Sequence, residues 1–310
     1  MTTKLLIGLG GHNHFHLFNR FNHSSDSMET IYKCPVCGLG LKKSDKVLMC
    51  DNRHSYDLSG EGYVNLILAN QKRSQESGDD KGMVQNRTYF LGQGYYDRLS
   101  DSLNEMILRF VVGSTDRNRT SNILDLGCGE GYYAERLQSF LEKSNIKKSF
   151  QIWGVDVSKS AIQKAAKRSR KIEFCVGNNF RLPYLDQSID VAFSVFSPLD
   201  SKEVLRVLRP GGKIIVVRPG ASHLKDLASL LYEKFEIQGD SSNLPETFGR
   251  KPINEGHVSY QIHLKSKKDI ESLVGMTPYY WSLGQEKRAL LAEKSELETT
   301  VDFQWSVFQK

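Results

Sequence analysis

The chain has 310 residues, of which 39% are hydrophobic and 25% charged, and its formal net charge is +6. This composition suits an ordinary soluble protein with one large α/β domain and a small appendage, and it contains no apolar run near the roughly 20 residues of a transmembrane helix. Residues 5–9 are too short and too interrupted by glycine for a signal-peptide core, so a cytoplasmic protein is expected.

The order of the segments comes from changes in composition along the chain. Residues 1–28 mix glycine, asparagine, histidine and serine without periodicity, which predicts a disordered extension. Within it, His12, His14 and His16 are spaced for a weak metal site, but a solvated tail is the preferred interpretation. Residues 29–58 carry cysteines, residues 59–118 are expected to form a connector, and residues 119–310 form the larger domain.

The larger domain alternates predicted strands and helices. Apolar runs predict strands at 123–126, 152–157, 172–176, 189–195 and 213–217, with helices at 132–141 and 159–167. Strands joined in this way imply five parallel neighbours in one sheet. Alternating segments at 258–265 and 301–309 are then expected to form an antiparallel hairpin at its edge.

The cysteine-bearing segment has the spacing of a metal site, C-x2-C-x12-C-x3-H, formed by Cys34, Cys37, Cys50 and His54. Zinc prefers four sulfur or nitrogen ligands in a tetrahedron, and each short spacing lets two ligands face one point. A redox C-x-x-C motif instead opens a helix in a βαβ unit. The sequence therefore predicts a closed zinc site with a structural or recognition role. Five cysteines, an odd number, also argue against a disulfide framework.

A glycine-rich turn follows the first strand of the larger domain and contains Gly127, Gly129 and Gly131. Such a turn allows close approach of a ligand to the backbone. Dinucleotide sites read G-x-G-x-x-G and face a pyrophosphate, whereas this turn reads G-x-G-x-G with Asp125 before it and Glu130 within it. The two carboxylates would repel pyrophosphate, and they suit a cationic cofactor such as S-adenosylmethionine.

Two further features support that interpretation. Asp156 ends the next strand, where it is placed to accept hydrogen bonds from ribose hydroxyls. The turn at 208–212, just before a strand, is typical of methyltransferases. Together with the glycine-rich turn they favour a methyltransferase over a dehydrogenase.

The end of the fourth strand, residues 196–198, is the expected position of the methyl acceptor. Phe196, next to Ser197, is interpreted either as a stacking partner for an extruded base or as a core residue. Amino-group methylation commonly uses an (Asp/Asn)-Pro-Pro-(Tyr/Phe) motif, which differs from the residues here. Cytosine C5 methylation needs a nucleophilic cysteine, and neither Cys128 nor Cys175 lies at this strand end. We assign no general base, so the catalytic residues stay unassigned.

These motifs together resemble the bacterial 23S rRNA guanine-N1 methyltransferases that act on hairpin 35. The resemblance runs from about residue 32 to residue 309 and rests on the zinc ligands and on segments 61–66, 72–74, 124–133, 156–158, 181–183, 219–224 and 276–278. Asn178, Asn179 and residues 196–198 depart from the small or aromatic residues of that family.

The resemblance implies a zinc-ribbon-like domain for rRNA recognition joined to a Rossmann-like class I methyltransferase domain of α/β type, with a mostly parallel seven-stranded sheet. It implies S-adenosylmethionine and Zn²⁺ as cofactors, 23S rRNA as partner and a homodimer without membrane association. With the residues argued above, the expected cofactor contacts are Tyr96, Asp125, Gly127, Cys128, Gly129, Glu130, Gly131, Tyr132, Asp156, Val157, Asn178 and His223.

The candidate RNA contacts are basic residues: Lys42, Lys43, Lys46, Arg53, Lys72, Arg73, Lys81 and the run 164–171. A solvated face is the preferred interpretation of the basic run and an open alternative for the zinc-module residues, whereas the connector residues Lys72, Arg73 and Lys81 carry more weight. Two other classes of function stay open at this point. One is a small-molecule methyltransferase with a structural zinc module. The other is an RNA-binding protein without activity, which the intact loop from Asp125 to Gly131 argues against.

Overall fold

The computed structural model describes residues 28–68, 80–113, 116, 118–231, 244–277 and 283–310. Nearly all of the predicted N-terminal extension, with His12, His14 and His16, lies outside these residues, and so do Lys72 and Arg73. Among the described residues, no helix combines the length and the apolar character needed to cross a membrane.

The N-terminal module is a four-stranded antiparallel sheet with its strands in chain order. The strands are β1 (Met28–Lys33), β2 (Gly40–Ser44), β3 (Val47–Met49) and β4 (Ser55–Asp57). Asp45, in the tight turn between β2 and β3, has a φ of +49°. Such short strands bury little apolar surface by themselves, so the module needs a metal ion or a packing partner for stability.

The larger domain is built on one sheet of eight strands. They are β5 (Val64–Asn65), β6 (Ser121–Leu126), β7 (Phe150–Asp156), β8 (Glu173–Val176), β9 (Ile189–Val195), β10 (Leu208–Pro219), β11 (Asn254–Leu264) and β12 (Leu297–Gln309). Their order is β11-β12-β10-β9-β6-β7-β8-β5, parallel from β10 to β5. The seven strands from β6 to β12 confirm the predicted class I methyltransferase sheet. The short edge strand β5, which the sequence analysis missed, is the eighth.

The antiparallel part of the sheet differs from the predicted hairpin. Strand β12 lies between β10 and β11 and pairs antiparallel with both. Helices at Lys267–Gly275 and Gln285–Ala292 lie between β11 and β12 in the described part of the chain, so the pair is antiparallel but not a hairpin. Both strands are also longer than the alternating segments suggested.

Helices cover both faces of the sheet: α1 (Lys81–Gly92), α2 (Asp97–Val112), α3 (Tyr132–Lys143), α4 (Lys159–Arg168), α5 (Ser201–Val207), α6 (Lys225–Leu231), α7 (Leu244–Phe248), α8 (Lys267–Gly275) and α9 (Gln285–Ala292). Asp80 caps α1 and Ser158 caps α4, each accepting a backbone N–H of the first turn. Residues 59–118, expected to be a connector, contain β5, α1 and α2. Helix α1 packs on α4 and α8, and α2 packs on α3.

The N-terminal module is docked on the larger domain through Tyr32. This side chain is fully buried, stacks on Tyr184 with ring centroids 5.5 Å apart, and meets the edge of Trp153 at 5.1 Å. Backbone hydrogen bonds of 2.9 Å join Lys33 N–H to Pro183 O and Leu185 N–H to Ile31 O. The shared core and these bonds fix the module relative to the methyltransferase sheet.

Candidate functional site

The predicted metal ligands come together at one end of the small sheet. Cys34 and Cys37 follow β1, and Cys50 and His54 flank the turn between β3 and β4. Their ligand atoms all lie within 4.8 Å of one another, with Cys37 Sγ 3.6 Å and His54 Nδ1 3.3 Å from Cys50 Sγ. Ligands about 2.3 Å from a tetrahedral ion are about 3.8 Å apart, so the four side chains fit zinc.

A hydrogen bond from outside the ligand set supports this site. The Tyr56 hydroxyl lies 3.2 Å from Cys34 Sγ. Burial raises the pKa of the Cys34 thiol, but hydrogen bonds from Tyr56 and from the backbone N–H groups of Cys37 and Val36 lower it to about 6. The thiolate, which is the form that binds zinc, is therefore favoured at neutral pH.

The lysines beside the zinc ligands are engaged within the protein. Lys42 Nζ lies 2.9 Å from Asp51 Oδ1, and Lys43 Nζ lies 2.9 Å from Glu173 Oε1. The second pair joins the module to β8 of the larger domain. These two lysines are therefore poorer candidates for phosphate contacts than the sequence suggested.

The glycine-rich loop adopts a conformation that needs glycine at two positions. Gly127 and Gly131 have φ values of +69° and +83°. A Cβ on Gly127 would overlap the Ser197 side chain, and one on Gly131 would lie 2.9 Å from Ala165 Cβ. Side chains at these positions would push the loop off the strand ends, so the loop stays close to β9 and α4 only with glycine.

Two carboxylates at the strand ends have different roles. Asp125 is 2% exposed, and none of the described residues donates a hydrogen bond to its Oδ2. Burial, with repulsion from Asp156 and Glu130, raises its pKa well above the ordinary range. Asp156 instead accepts backbone N–H bonds from Gly129 at 2.9 Å and from Ser158 at 2.8 Å. A buried acceptor without a partner fits a cationic ligand, and S-adenosylmethionine supplies an ammonium and a sulfonium.

One oxygen of Glu130 is paired within the fold, whereas its Oε1 has no hydrogen-bond partner among the described residues. Glu130 is 1% exposed and its carboxylate accepts a hydrogen bond of 2.6 Å from Arg168 Nε. The ion pair with Arg168 neutralises this charge within the fold. Cys128 also faces inward, into the core. Asp125 and Glu130 thus each have one buried carboxylate oxygen without a hydrogen-bond partner among the described residues.

Aromatic side chains form a wall next to the loop. Tyr96, at the start of α2, meets Phe303 of β12 edge-on at 4.8 Å between ring centroids. His223 lies 5.0 Å from Phe303 and 5.7 Å from Phe196 by the same measure. Burial lowers the pKa of His223 to about 4, so its ring is neutral at physiological pH. Tyr132 donates its hydroxyl proton to Asp97 Oδ1 at 2.6 Å and so ties α3 to α2.

Phe196 stands out at the end of β9. It has a φ of +55°, a region that costs a residue with a Cβ of order 1–3 kcal/mol, and its side chain is 42% exposed. Next to it, Asn179 Nδ2 donates to Ser197 Oγ at 3.0 Å and to Pro198 O at 3.1 Å. These bonds hold the strand end of β9 to the loop after β8. Its exposure and its fixed backbone make Phe196 a candidate for stacking on a flat ligand.

A cavity of about 410 Å³ lies where the zinc module meets the larger domain. Its walls are the turn at 34–38, which carries two zinc ligands, and the loop after β8, with Asn178 and Arg181. The Arg181 side chain is exposed and makes no hydrogen bond or ion pair with the described residues. Phe180 beside it is 55% exposed. This junction offers a cation and an aromatic ring next to the zinc turn.

Comparisons with known proteins match both parts of the chain. The family described as "Methyltransferase domain" matches residues 117–273, and the one described as "RlmA, N-terminal", a zinc ribbon, matches residues 32–75. A putative 23S rRNA (guanine-N(1)-)-methyltransferase of Bacillus subtilis is 31% identical over 281 residues, which cover 88% of this chain and 95% of that protein. The chain belongs to the 23S rRNA guanine-N1 methyltransferase family.

Two further relatives carry similar names. A putative 23S rRNA (guanine-N(1)-)-methyltransferase of Micromonospora griseorubida is 30% identical, covering 80% of this chain and 86% of that protein. The 23S rRNA (guanine(748)-N(1))-methyltransferase of Streptomyces fradiae is 32% identical, covering 64% and 67%. The resemblance stated from the sequence motifs is therefore confirmed.

In this chain most of the expected cofactor residues lie at one edge of the sheet. The loop 127–131 follows β6, Asp156 and Val157 follow from β7, Asn178 comes after β8, and His223 comes after β10. Asn178 is exposed, and its Oδ1 accepts the backbone N–H of Phe180 at 2.8 Å. The carboxyl ends of parallel strands are where α/β folds bind ligands.

The sequence analysis of this methyltransferase missed three residues near the cofactor loop. Phe303 completes the aromatic wall, Asn179 fixes the end of β9, and Arg87 of α1 reaches Gly129. Phe303 and Arg87 come from segments distant in sequence from the glycine-rich loop. For Phe303, the one available sequence signal was its position on the buried side of β12. No motif in the sequence around Arg87 indicated a functional residue.

Proposed function

We propose that this protein transfers a methyl group from S-adenosylmethionine to N1 of a guanine in 23S rRNA. The observation that carries the proposal is the union, in one chain with a shared core at Tyr32, of a zinc ribbon and a methyltransferase sheet whose buried Asp125 suits a cationic cofactor. The names of the relatives support the same reaction.

The cofactor contacts follow from the strand ends. Asp125 faces the cationic part of the cofactor, and the loop 127–131 approaches it through the backbone. Asp156, which also accepts the backbone N–H groups of Gly129 and Ser158, accepts from the ribose hydroxyls. Asn178, Val157, Tyr96 and Tyr132 complete the expected set, with His223. S-adenosylmethionine, when bound, supplies an activated methyl group on its sulfonium.

The acceptor base is positioned by the wall beside β9. In transfer to guanine N1, the methyl group that the bound cofactor would supply would replace the N1 proton, which would pass to water because no general base is assigned. The protein therefore contributes mainly alignment. Phe196 stacks on the extruded guanine, and the bonds from Asn179 to Ser197 and Pro198 keep that platform in place.

The RNA contacts are proposed for the junction of the two domains rather than for the outer lysines. Arg181 and Phe180 there offer a phosphate contact and a stacking surface, the pair of chemistries by which proteins bind single-stranded RNA. We also propose that the enzyme acts on the ribosome's RNA in the cytoplasm and as a homodimer, as the family resemblance implies. Light scattering of the purified protein tests the dimer.

The substrate is tested by methyl transfer to rRNA fragments. Labelled S-adenosylmethionine is incubated with a 23S hairpin RNA, and the nuclease digest is analysed for 1-methylguanosine, with Asp125→Asn as the inactive control. Activity on the hairpin and not on free nucleosides is expected. Methylation of a small metabolite alone, or of an exocyclic amine, contradicts the proposal.

A further inference from the structure

Arg87 lies against the cofactor loop, although it comes from the segment expected to be a connector. Its Nη1 lies 3.5 Å, and its Cδ 4.0 Å, from the point where a Cβ on Gly129 would stand. Helix α1 is held in place on both sides, because Thr88 Oγ1 accepts from Lys164 Nζ of α4 at 3.2 Å and the Asn86 side chain packs on Gly275 of α8. The guanidinium of Arg87 is therefore placed by packed helices rather than by a flexible loop.

Charged side chains of both signs surround this loop. Three carboxylates lie at the loop, those of Asp125, Glu130 and Asp156. Arg168 forms an ion pair with Glu130. Burial raises the pKa of Glu130, while the positive charges of Arg168, Arg87 and Lys164 oppose that rise. Arg87 is thus electrostatically part of the loop, and it lies on the side of Gly129.

S-adenosylmethionine has an anionic group as well as cationic ones, since its methionine part carries an α-carboxylate. Asp125 is the acceptor proposed for the cationic groups of the cofactor. The α-carboxylate requires a positively charged hydrogen-bond donor instead. We propose that Arg87 binds the α-carboxylate of the cofactor beside Gly129. A guanidinium matches a carboxylate with two parallel N–H bonds, which a lysine cannot reproduce. This inference rests on the proposed function, because it takes S-adenosylmethionine as the cofactor.

Calorimetry with two ligands separates this role from a structural one. Wild type, Arg87→Met and Arg87→Lys are titrated with S-adenosylmethionine and with its decarboxylated form, which lacks only the α-carboxylate. Wild type should prefer the complete cofactor roughly 10- to 100-fold, the usual value of a hydrogen bond to a charged group. Arg87→Met should lose most of that preference while binding the decarboxylated form about as well as wild type, and Arg87→Lys should keep part of it.

The control is Lys167→Met, which removes a positive charge from the same helix, α4, but keeps the bond from Lys164 to Thr88 that holds α1, and it should leave the preference unchanged. Equal weakening of both ligands by Arg87→Met, or the same loss of preference in Lys167→Met, overturns the assignment. If Arg87→Met does not fold, Arg87→Lys carries the test, and an unchanged preference in that variant also overturns it. Failure of wild type to bind S-adenosylmethionine at all would instead refute the proposed function.

Discussion

His223 Nδ1 accepts the backbone N–H of Asp302 at 3.2 Å. Because this nitrogen is the acceptor, the proton of the neutral ring resides on Nε2. Burial lowers the pKa of His223 to about 4. The imidazole is therefore a fixed hydrogen-bond donor in the aromatic wall rather than a general base that takes up protons near neutral pH.

We predict that this histidine makes the protein less stable in mild acid. The unfolded chain protonates His223 near its ordinary pKa of 6.5, whereas the folded chain resists until about 4. The stability that comes from this difference in pKa is fully present above pH 6.5 and is lost as the pH falls towards 4. The loss amounts to about 2 kcal/mol between pH 7 and pH 5. Urea unfolding of wild type and His223→Asn at both pH values measures it. Between pH 7 and pH 5 the free energy of unfolding should fall by about 2 kcal/mol less in His223→Asn than in wild type. Equal falls in both proteins would contradict the prediction.

Phe196→Ala should lower kcat/KM for rRNA by about 10- to 100-fold, because base stacking is worth about 1–3 kcal/mol. The affinity for S-adenosylmethionine should hardly change. Since the side chain is 42% exposed, unfolding should become easier by only about 1 kcal/mol. Phe196→Tyr is the matched control and should keep activity. A loss of stability near the 3–5 kcal/mol of a buried phenylalanine would identify Phe196 as a core residue.

Asp156→Ala should weaken S-adenosylmethionine binding by about 1–3 kcal/mol through unpaired ribose hydroxyls. The same substitution also leaves the backbone N–H groups of Gly129 and Ser158 without the carboxylate that accepts their hydrogen bonds. Adenosine, which shares the ribose, should lose a similar amount of affinity in calorimetry. An unchanged affinity for both ligands would remove Asp156 from the site.

We expect one zinc ion per chain, measurable by metal analysis, and its loss after Cys34→Ser combined with Cys50→Ser. The effect should reach the larger domain, because Tyr32 packs against Tyr184 and Trp153. Tyr32→Ala should therefore destabilise the whole protein by about 3–5 kcal/mol. If the methyltransferase domain unfolded at the same denaturant concentration with and without zinc, the two parts would be energetically independent.

Phe180→Ala combined with Arg181→Ala should weaken RNA binding and reduce its salt slope by about one, as expected for one lost phosphate contact. Lys42→Ala is the matched control, since it removes one positive charge that Asp51 already compensates. Filter binding over a range of salt concentrations gives both quantities. A larger effect of Lys42→Ala would indicate instead that RNA binds to the outer face of the zinc module.

What could be predicted from the sequence was local in the chain. The ligand spacing from Cys34 to His54 and the glycines of the loop 127–131 each describe one short turn, whose conformation dictates its residues. The pairing of Glu130 with Arg168 and the approach of Arg87 to Gly129 depend on how helices pack, which periodicity does not encode. The engagement of Lys43 by Glu173 was hidden for the same reason.

The docking of Tyr32 against Tyr184 also orders events during synthesis. The zinc module emerges from the ribosome before β7 and the loop that carries Tyr184 exist, and N-terminal parts of a chain fold first. Until then, the metal ion must hold the small sheet together while its large aromatic side chain faces water. Zinc that binds while the chain is still being synthesised therefore stabilises the module before the aromatic partners of Tyr32 are available.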